Sequence, residues 1–163
     1  MNTTVQRLSV VFLALLLSAC NSEPTPLATG TSDYIDLSGN SGNFSDHRGK
    51  WMFINYWATW CKPCIDEIPE LNHFASDNAD RAVVFAVDFD NAQGEKLLAS
   101  SQKLGIEFPV LIEDPHLVLG VDKPYALPTT FVFDPQGELQ HTLLGPQTAA
   151  SLAAAMVVIE AAQ

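Results

Sequence analysis

Continuous apolar runs alternate with amphipathic segments through the middle of the chain. Trp51–Trp57 and Ala82–Asp88 are short, uninterrupted apolar runs, which are typical of strands buried on both faces. Each run is followed by a segment with helical spacing of its apolar residues, and Gly105 ends the second of these. The full pattern predicts helices at 63–76 and 93–104, a short strand at 109–113, a hairpin of strands at 129–134 and 138–144, and an Ala-rich closing helix at 148–161. This order of elements predicts an α/β fold in which a mixed sheet carries helices on both faces.

The N-terminal region has a different pattern, with an apolar stretch that begins near Leu8, follows Arg7 and ends in small residues before Cys20. The stretch is too short to span a bilayer and is typical of a signal peptide, here residues 1–19. Leu-Ser-Ala-Cys at 17–20 is similar to the lipobox of bacterial lipoproteins, which implies lipidation of Cys20. An ordinary secretory signal with an incidental cysteine is the alternative. Residues 20–33, rich in Ser, Thr, Pro and Gly, are interpreted as a flexible tether to a single domain at 34–163.

The net charge of the chain argues against some classes of binding partner. The chain of 163 residues has a formal net charge of −11, with 8 basic and 19 acidic residues. Removal of Arg7 with the signal peptide would make the net charge −12, from 7 basic and 19 acidic residues. This balance argues against nucleic acid as a partner and against direct adhesion to anionic lipid.

Two of the three cysteines, Cys61 and Cys64, lie two residues apart where the first buried strand gives way to a helix. A helix N-terminus offers unpaired N–H groups and a partial positive charge, which favour a thiolate over a thiol. Cys61 is therefore predicted to be the nucleophile and Cys64 the resolving thiol of a dithiol–disulfide couple. A structural zinc site is the alternative, but it needs about four ligands and the chain has no second cysteine pair. No metal and no cofactor other than the cysteine pair is expected.

The residues around these cysteines resemble those of the TlpA/ResA-like thiol–disulfide oxidoreductases, a cell-envelope branch of the thioredoxin superfamily. The resemblance is carried by residues 55–64 (Asn-Tyr-Trp-Ala-Thr-Trp-Cys-Lys-Pro-Cys) and 67–69 (Glu-Ile-Pro), with a second motif at 127–131 (Leu-Pro-Thr-Thr-Phe). Residues 44–50 are similar to the family's approach to its first long strand. The resemblance implies a thioredoxin-like three-layer α/β/α sandwich around a central mixed sheet.

The resemblance also implies roles for residues outside the cysteine pair. Pro128 would follow a cis peptide bond and face the disulfide, and the backbone of Leu127 would pair with an extended substrate segment. Trp60 would form part of the docking surface, and Glu67 would influence thiol ionisation and relay a proton. The alternatives are a trans proline, a tryptophan packed in the core and a solvated glutamate. Lys62 either favours the thiolate through its charge or is a solvated lysine.

Two features depart from related patterns. Thioredoxin itself has a buried aspartate six residues before its first cysteine, whereas this chain has Asn55, which shifts any proton relay towards Glu67. The segment at 120–126 is a few residues longer than the usual approach to the cis proline. It borders the expected docking groove, so the partner preference of relatives does not transfer to this chain.

The sequence thus predicts a monomeric, membrane-anchored oxidoreductase that faces the periplasm and reduces disulfides in envelope proteins. The family implies that a transmembrane protein conducting thiol electrons recharges it. A disulfide oxidase or isomerase is the alternative within enzymes. A Cu(I)-handling chaperone is the alternative from another class, since paired thiolates suit a soft metal, and a non-catalytic scaffold is a third. The choice of membrane stays open, because Asn21 after Cys20 permits the outer membrane whereas electron supply favours the inner one.

Overall fold

The computed structural model describes residues 32–157. The predicted signal peptide, the predicted lipidation site Cys20 and nearly all of the predicted tether lie outside the described residues, as do residues 158–161 of the predicted closing helix. Within residues 32–157, no helix has the length and apolar character needed to cross a membrane.

A four-stranded mixed sheet forms the centre of the domain. Four of the six strands in the described residues, β3 to β6, form this sheet. The six strands are β1 (Tyr34–Ile35), β2 (Ser41–Gly42), β3 (Trp51–Trp57), β4 (Ala82–Asp88), β5 (Thr129–Phe133) and β6 (Leu139–Leu144). The helices are a 3-10 turn at Phe44–His47, α1 (Lys62–Asp77), α2 (Gly94–Leu104), α3 (His116–Leu119) and α4 (Ala149–Ala155). The strand order is β4-β3-β5-β6, with β3 and β4 parallel and the other two pairs antiparallel, while β1 and β2 form a separate small hairpin.

Strand β3 is buried along its whole length because both faces of the sheet are covered. On one face, its residues Trp51, Phe53 and Trp57 pack in a core with residues from α1, α2 and α4. On the other face, Met52, Ile54 and Tyr56 pack with residues from β4, β5, the 3-10 turn and α3. Burial on both sides explains why β3 appears in the sequence as a continuous apolar run rather than an alternating one.

The predicted fold class is confirmed, and most element boundaries agree with the sequence pattern. Strands β3 and β4 coincide with their predicted ranges, and the bounds of α1 and α2 differ from prediction by one residue. In the β5–β6 hairpin, Gly137 has a φ of 85°, and the Asp134 carboxylate accepts the N–H groups of Gln136 and Glu138. These hydrogen bonds give the backbone N–H groups of the tight turn an acceptor, and the turn fixes the register of the two strands.

Two predicted elements differ from the structure. The segment at 109–113 forms only isolated bridges, Val110 with Ala86 and Leu111 with Asp36, because proline at 109 lacks an N–H to donate to a ladder. The closing helix begins as predicted, with Thr148 as N-cap, but α4 ends at Ala155, two residues before the last described residue. Met156 already leaves helical geometry, with a ψ of 41°.

Candidate active site

The cysteine pair begins helix α1, and the structure holds it as a disulfide. Cys61 is the N-cap of α1, and its Sγ accepts the backbone N–H of Cys64 at 3.3 Å. Cys61 is 5% exposed and Cys64 is 0% exposed. Of the two residues only Cys61 keeps any exposure, which is the order that the predicted division into nucleophile and resolving thiol requires.

A buried polar network lies on the same face of α1, one turn beyond Cys64. The Glu67 side chain is 2% exposed, and its Oε1 accepts a hydrogen bond from the Asn55 amide of β3 at 2.8 Å. Its Oε2 accepts the backbone N–H of Gln147, which lies just before α4, at 2.8 Å. The Asn55 amide also donates to Thr130 Oγ1 of β5 at 3.0 Å. The carboxylate thus joins α1 to β3 and to the segment before α4, and Asn55 extends the network to β5. Glu67 is therefore not the solvated glutamate of the alternative interpretation.

The environment of Glu67 changes its acidity. Burial raises the pKa of Glu67 from its ordinary value of 4.5 to about 7, although the hydrogen bonds from Gln147 and Asn55 each lower it. Desolvation disfavours the charged form more than the two donors stabilise it. A carboxyl group with a pKa near neutrality can both take up and release a proton under ordinary conditions.

The second predicted motif lies at the same end of the sheet. The Leu127–Pro128 peptide bond is cis, and Thr129, directly after it, pairs with Tyr56 near the end of β3. Leu127 packs against the same core cluster that contains both cysteines. Within residues 32–157, neither the N–H nor the carbonyl of Leu127 makes a backbone hydrogen bond. The edge that the sequence assigned to substrate pairing is thus available in the described part of the chain.

Trp60 lies on the surface beside the disulfide rather than in the core. Its side chain is 64% exposed, and its Nε1 donates to Asp90 Oδ2 at 2.8 Å. The indole meets the ring of Phe89 edge to face, with centroids 6.4 Å apart. This arrangement offers a fixed, amphipathic contact surface next to Cys61.

Lys62 lies between the two cysteines in the sequence, but its charge is directed elsewhere. Its Nζ is 2.8 Å from Asp66 Oδ2, one turn along the exposed side of α1. Both side chains are well exposed, so the pair is the ordinary i, i+4 ion pair of a solvated helix face. The solvated interpretation of Lys62 therefore fits the geometry.

The segment at 120–126 contacts the loop after β4, which also contacts Trp60. Lys123 Nζ donates to the Phe89 carbonyl at 3.0 Å, lies 4.7 Å from the centre of its ring, and is 3.5 Å from Asp114 Oδ2. A groove with a volume of about 420 Å³ runs between this segment and β5–β6. It is lined by Val121, Tyr125, Thr129, Phe131, Leu139 and Leu144, among others. Cys61, Trp60 and Leu127 do not line this groove, so the expectation that the segment borders the docking groove stays a prediction. The sequence gave no sign of the Lys123–Phe89 contact.

Across residues 32–157, no three histidine, cysteine, aspartate or glutamate side chains come together as a group able to hold a metal ion.

A mixed-sheet α/β fold, with a cysteine pair at a helix N-terminus and a cis-proline loop at the same end of the sheet, defines a thioredoxin-like thiol–disulfide oxidoreductase. Comparison with known proteins agrees with this class. The chain belongs to the AhpC/TSA family, whose sequence profile matches residues 23–142.

Similarity to individual proteins indicates a group within this class. The thiol-disulfide oxidoreductase ResA of Geobacillus kaustophilus is 35% identical over 135 residues, covering 78% of this chain and 75% of the relative. The ResA protein of Geobacillus thermodenitrificans is 33% identical over 153 residues, covering 85% of this chain and 86% of the relative. Among solved structures, StoA from Bacillus subtilis superposes with a TM-score of 0.62 at 21% identity, covering 75% of this chain and 92% of that one. This chain is a thiol–disulfide oxidoreductase of the ResA-like group.

Proposed function

We propose that this enzyme is a lipid-anchored reductant of protein disulfides in the bacterial cell envelope. The observation that carries the proposal is the graded burial of the cysteine pair above a buried carboxylate. Cys61 keeps some exposure at the helix N-terminus, Cys64 has none, and Glu67 follows one turn later. This order suits a nucleophile that attacks an incoming disulfide and a shielded thiol that completes the exchange.

The reaction takes two exchanges. The Cys61 thiolate attacks one sulfur of the substrate disulfide, and the other substrate sulfur leaves as a thiolate that takes up a proton. Cys64 then loses its proton and attacks Cys61 Sγ, which breaks the mixed disulfide and releases the second substrate thiolate. Two electrons pass to the substrate, and the enzyme is left as the Cys61–Cys64 disulfide.

Glu67 is proposed to accept the proton that Cys64 gives up in the second exchange. Its position on the same face of α1 as Cys64 and its pKa of about 7 support this role. A base whose pKa lies near the working pH combines a useful ionised fraction with enough proton affinity. The proton then leaves Glu67 for solvent before the next cycle.

The substrate is proposed to be an extended, disulfide-containing segment of an envelope protein. Its backbone would pair with Leu127 beside Pro128 as an added strand, and Trp60 would pack against it. The free backbone groups of Leu127 and the exposure of Trp60 support this placement.

The anchor and the electron source are proposed from the sequence. The apolar stretch after Arg7 and the lipobox-like residues before Cys20 support a lipid anchor at Cys20. A dithiol in an oxidising compartment needs a source of electrons, and a transmembrane conductor of thiol electrons would supply it. We propose that the enzyme acts as a monomer facing the periplasm.

The direction of electron flow is tested by the reduction potential of the Cys61–Cys64 couple in the purified full chain. Equilibration in glutathione or dithiothreitol buffers, followed by thiol alkylation, gives the potential. A value of about −250 mV or lower supports a reductant, whereas about −120 to −180 mV makes the enzyme an oxidase or isomerase.

Trapping tests the roles of the two sulfurs. Cys64→Ser is expected to accumulate mixed disulfides between Cys61 and envelope proteins, because the resolving thiol is absent. Cys61→Ser serves as the matched control, with no mixed disulfide expected. Equal trapping by both variants would contradict the assignment.

A Cys20→Ser variant tests the anchor. We expect it to leave the membrane fraction on cell fractionation, and its retention there would contradict lipidation at Cys20.

A further inference from the structure

Asn55 carries a buried polar atom that the fold leaves without a partner. Its side chain is 0% exposed, and its Oδ1 accepts no hydrogen bond from the described residues. The amide nitrogen, in contrast, uses both hydrogens, donating to Glu67 Oε1 and Thr130 Oγ1. Buried polar groups are nearly always hydrogen-bonded, so an unpaired oxygen next to the Glu67 carboxylate needs an explanation.

The backbone fixes where this amide lies. Asn55 and Thr130 are directly paired residues of the antiparallel strands β3 and β5, which sets the spacing of their side chains. Glu67 approaches from α1, where Cys64 and the buried positions Ile68 and Leu71 hold the helix against the sheet. Rotation of the amide group about its terminal bond exchanges its oxygen and nitrogen without moving any other part of the chain.

The present hydrogen bonds fit an ionised Glu67 and not a protonated one. Each carboxylate oxygen faces an N–H donor, Asn55 on Oε1 and the Gln147 backbone on Oε2. A proton on either oxygen would point at another hydrogen. The Gln147 donor is backbone and cannot become an acceptor, so the Asn55 amide is the member of the pair that can change.

We propose that Asn55 is a positioning residue whose side-chain amide turns over when Glu67 takes up a proton. In the turned state Oδ1 replaces the nitrogen and accepts the carboxyl O–H of Glu67, while the Thr130 hydroxyl rotates to donate to the same oxygen. Each orientation leaves one end of the amide unpaired, so the proton on Glu67 decides between them. The inference rests on the proposed role of Glu67 as acceptor of the Cys64 proton.

The surroundings of Glu67 make the amide the main adjustable group. Glu70, one turn later on α1, is the next charged residue on that helix, and its carboxylate accepts the Ala149 N–H of α4. Cys64 lies one turn earlier. From the sheet, Asn55 contacts the carboxylate and Thr130 contacts Asn55, and neither residue carries a charge. Within residues 32–157, Glu67 makes no ion pair, and its pKa of about 7 lets both protonation states occur near neutrality.

Nuclear magnetic resonance on the oxidised full chain in detergent tests the proposal without a mutation. The side-chain carboxyl ¹³C signal of Glu67 and the side-chain amide ¹⁵N and ¹H signals of Asn55 are followed from pH 5 to pH 9. We expect the Asn55 signals to shift with the same midpoint as Glu67. Asn55 signals that stay constant while Glu67 titrates would overturn the proposal.

The Asn55→Leu variant removes the donor while keeping the branched shape at Cγ. The Glu67 midpoint is expected to rise by about one pH unit, which is a tenfold change in proton affinity. The pH profile of Cys64 alkylation in the reduced protein should move with it. Asn72→Leu is the matched control, because Asn72 lies on α1 near Gly105, where its amide donates to the Gly105 carbonyl. An unchanged Glu67 midpoint in Asn55→Leu would overturn the positioning role.

Failure of the proposed function gives a different result. If Glu67→Gln leaves the rate and pH dependence of thiol exchange unchanged, Glu67 is not the proton acceptor. Signals of Asn55 that still follow the Glu67 titration would then support the amide rotation and overturn only the catalytic role of the carboxylate.

Discussion

At the scale of single residues, burial of the Glu67 carboxylate lowers the stability of the fold when the carboxylate is ionised. Its carboxylate is removed from water and compensated by two N–H donors, without a contacting cation in the described part of the chain. Such a group is more easily protonated in the folded protein than in the unfolded chain. The stability of the fold therefore depends on pH through this residue.

The pH dependence of unfolding is the first prediction. Because the folded pKa of about 7 lies above the ordinary 4.5, the stabilising contribution is complete below about pH 4.5 and is lost as pH rises through 7. The loss is on the order of 3 kcal/mol, because each tenfold change in proton affinity corresponds to about 1.4 kcal/mol. Urea unfolding of the oxidised protein between pH 4.5 and 8 measures it. Glu67→Gln should show a flatter dependence, and an equally steep one would contradict the assignment.

Trp60 gives the second prediction. Because the indole is 64% exposed, Trp60→Ala should change the free energy of unfolding by less than about 0.5 kcal/mol. Loss of an aromatic contact on the docking surface should raise KM for a protein disulfide about three- to tenfold, with kcat little changed. Leu98→Ala, which removes an exposed apolar side chain from α2, should leave KM unchanged. An unaltered KM in Trp60→Ala would remove Trp60 from the docking surface.

At the scale of elements, the site depends on how α4 is fastened to α1. Two carboxylates on successive turns of α1, Glu67 and Glu70, accept the N–H groups of Gln147 and Ala149 at the start of α4. Thr148 completes the cap, since its Oγ1 accepts the Ser151 N–H at 3.1 Å. Orphan donors at a helix N-terminus need such partners, and Glu70 supplies one of them, while Glu67 holds Gln147 just before the cap.

Removal of the Thr148 cap is the third prediction. Thr148→Ala should lower the free energy of unfolding by about 1 kcal/mol, because one N–H of α4 loses its acceptor. Thr148→Ser keeps a hydroxyl in the same place and should recover most of that loss. Denaturant titration of the oxidised protein compares the three proteins. Equal stability of Thr148→Ala and the parent would show that the cap contributes nothing measurable.

What the sequence could predict at this scale depended on the length and regularity of each element. Strands β3 and β4 are continuous apolar runs, and the two longer helices and the hairpin carry clear periodicity or turn residues, so their positions were predictable. The single-turn α3 and the two-residue strands β1 and β2 are too short for a pattern to appear. The cysteine pair and cis proline were predictable from motifs. The Gln147 and Thr130 contacts with the Asn55–Glu67 network were not, because they join residues about 75 to 80 positions apart through tertiary packing.

At the scale of the whole molecule, the net charge of −11 sets how partners approach. Beside Trp60, the residue proposed to contact substrate, Asp90 adds a negative charge, whereas Asp66 is paired with Lys62. A cationic substrate is attracted through solvent before contact, and salt screens that attraction.

A preference for basic substrates at low salt is the fourth prediction. Two disulfide-linked peptides, identical except for flanking lysines or glutamates, should differ in kcat/KM at about 20 mM salt, with the lysine peptide favoured. At about 500 mM salt the difference should largely disappear, because the Debye length has fallen to a few ångströms. A ratio that is independent of salt would indicate that net charge has no part in substrate encounter.

The Glu67 carboxylate makes two separate contacts, which limits the substitutions that position 67 can accept under selection or in design. One oxygen serves the polar network below the cysteines, and the other holds the segment that enters α4. A substitution that tunes thiol chemistry at this position therefore also loosens the attachment of the last helix. A library that varies position 67 alone will confound activity with folding. Variation at Asn55 or Thr130, which leaves the α4 attachment in place, separates the two properties.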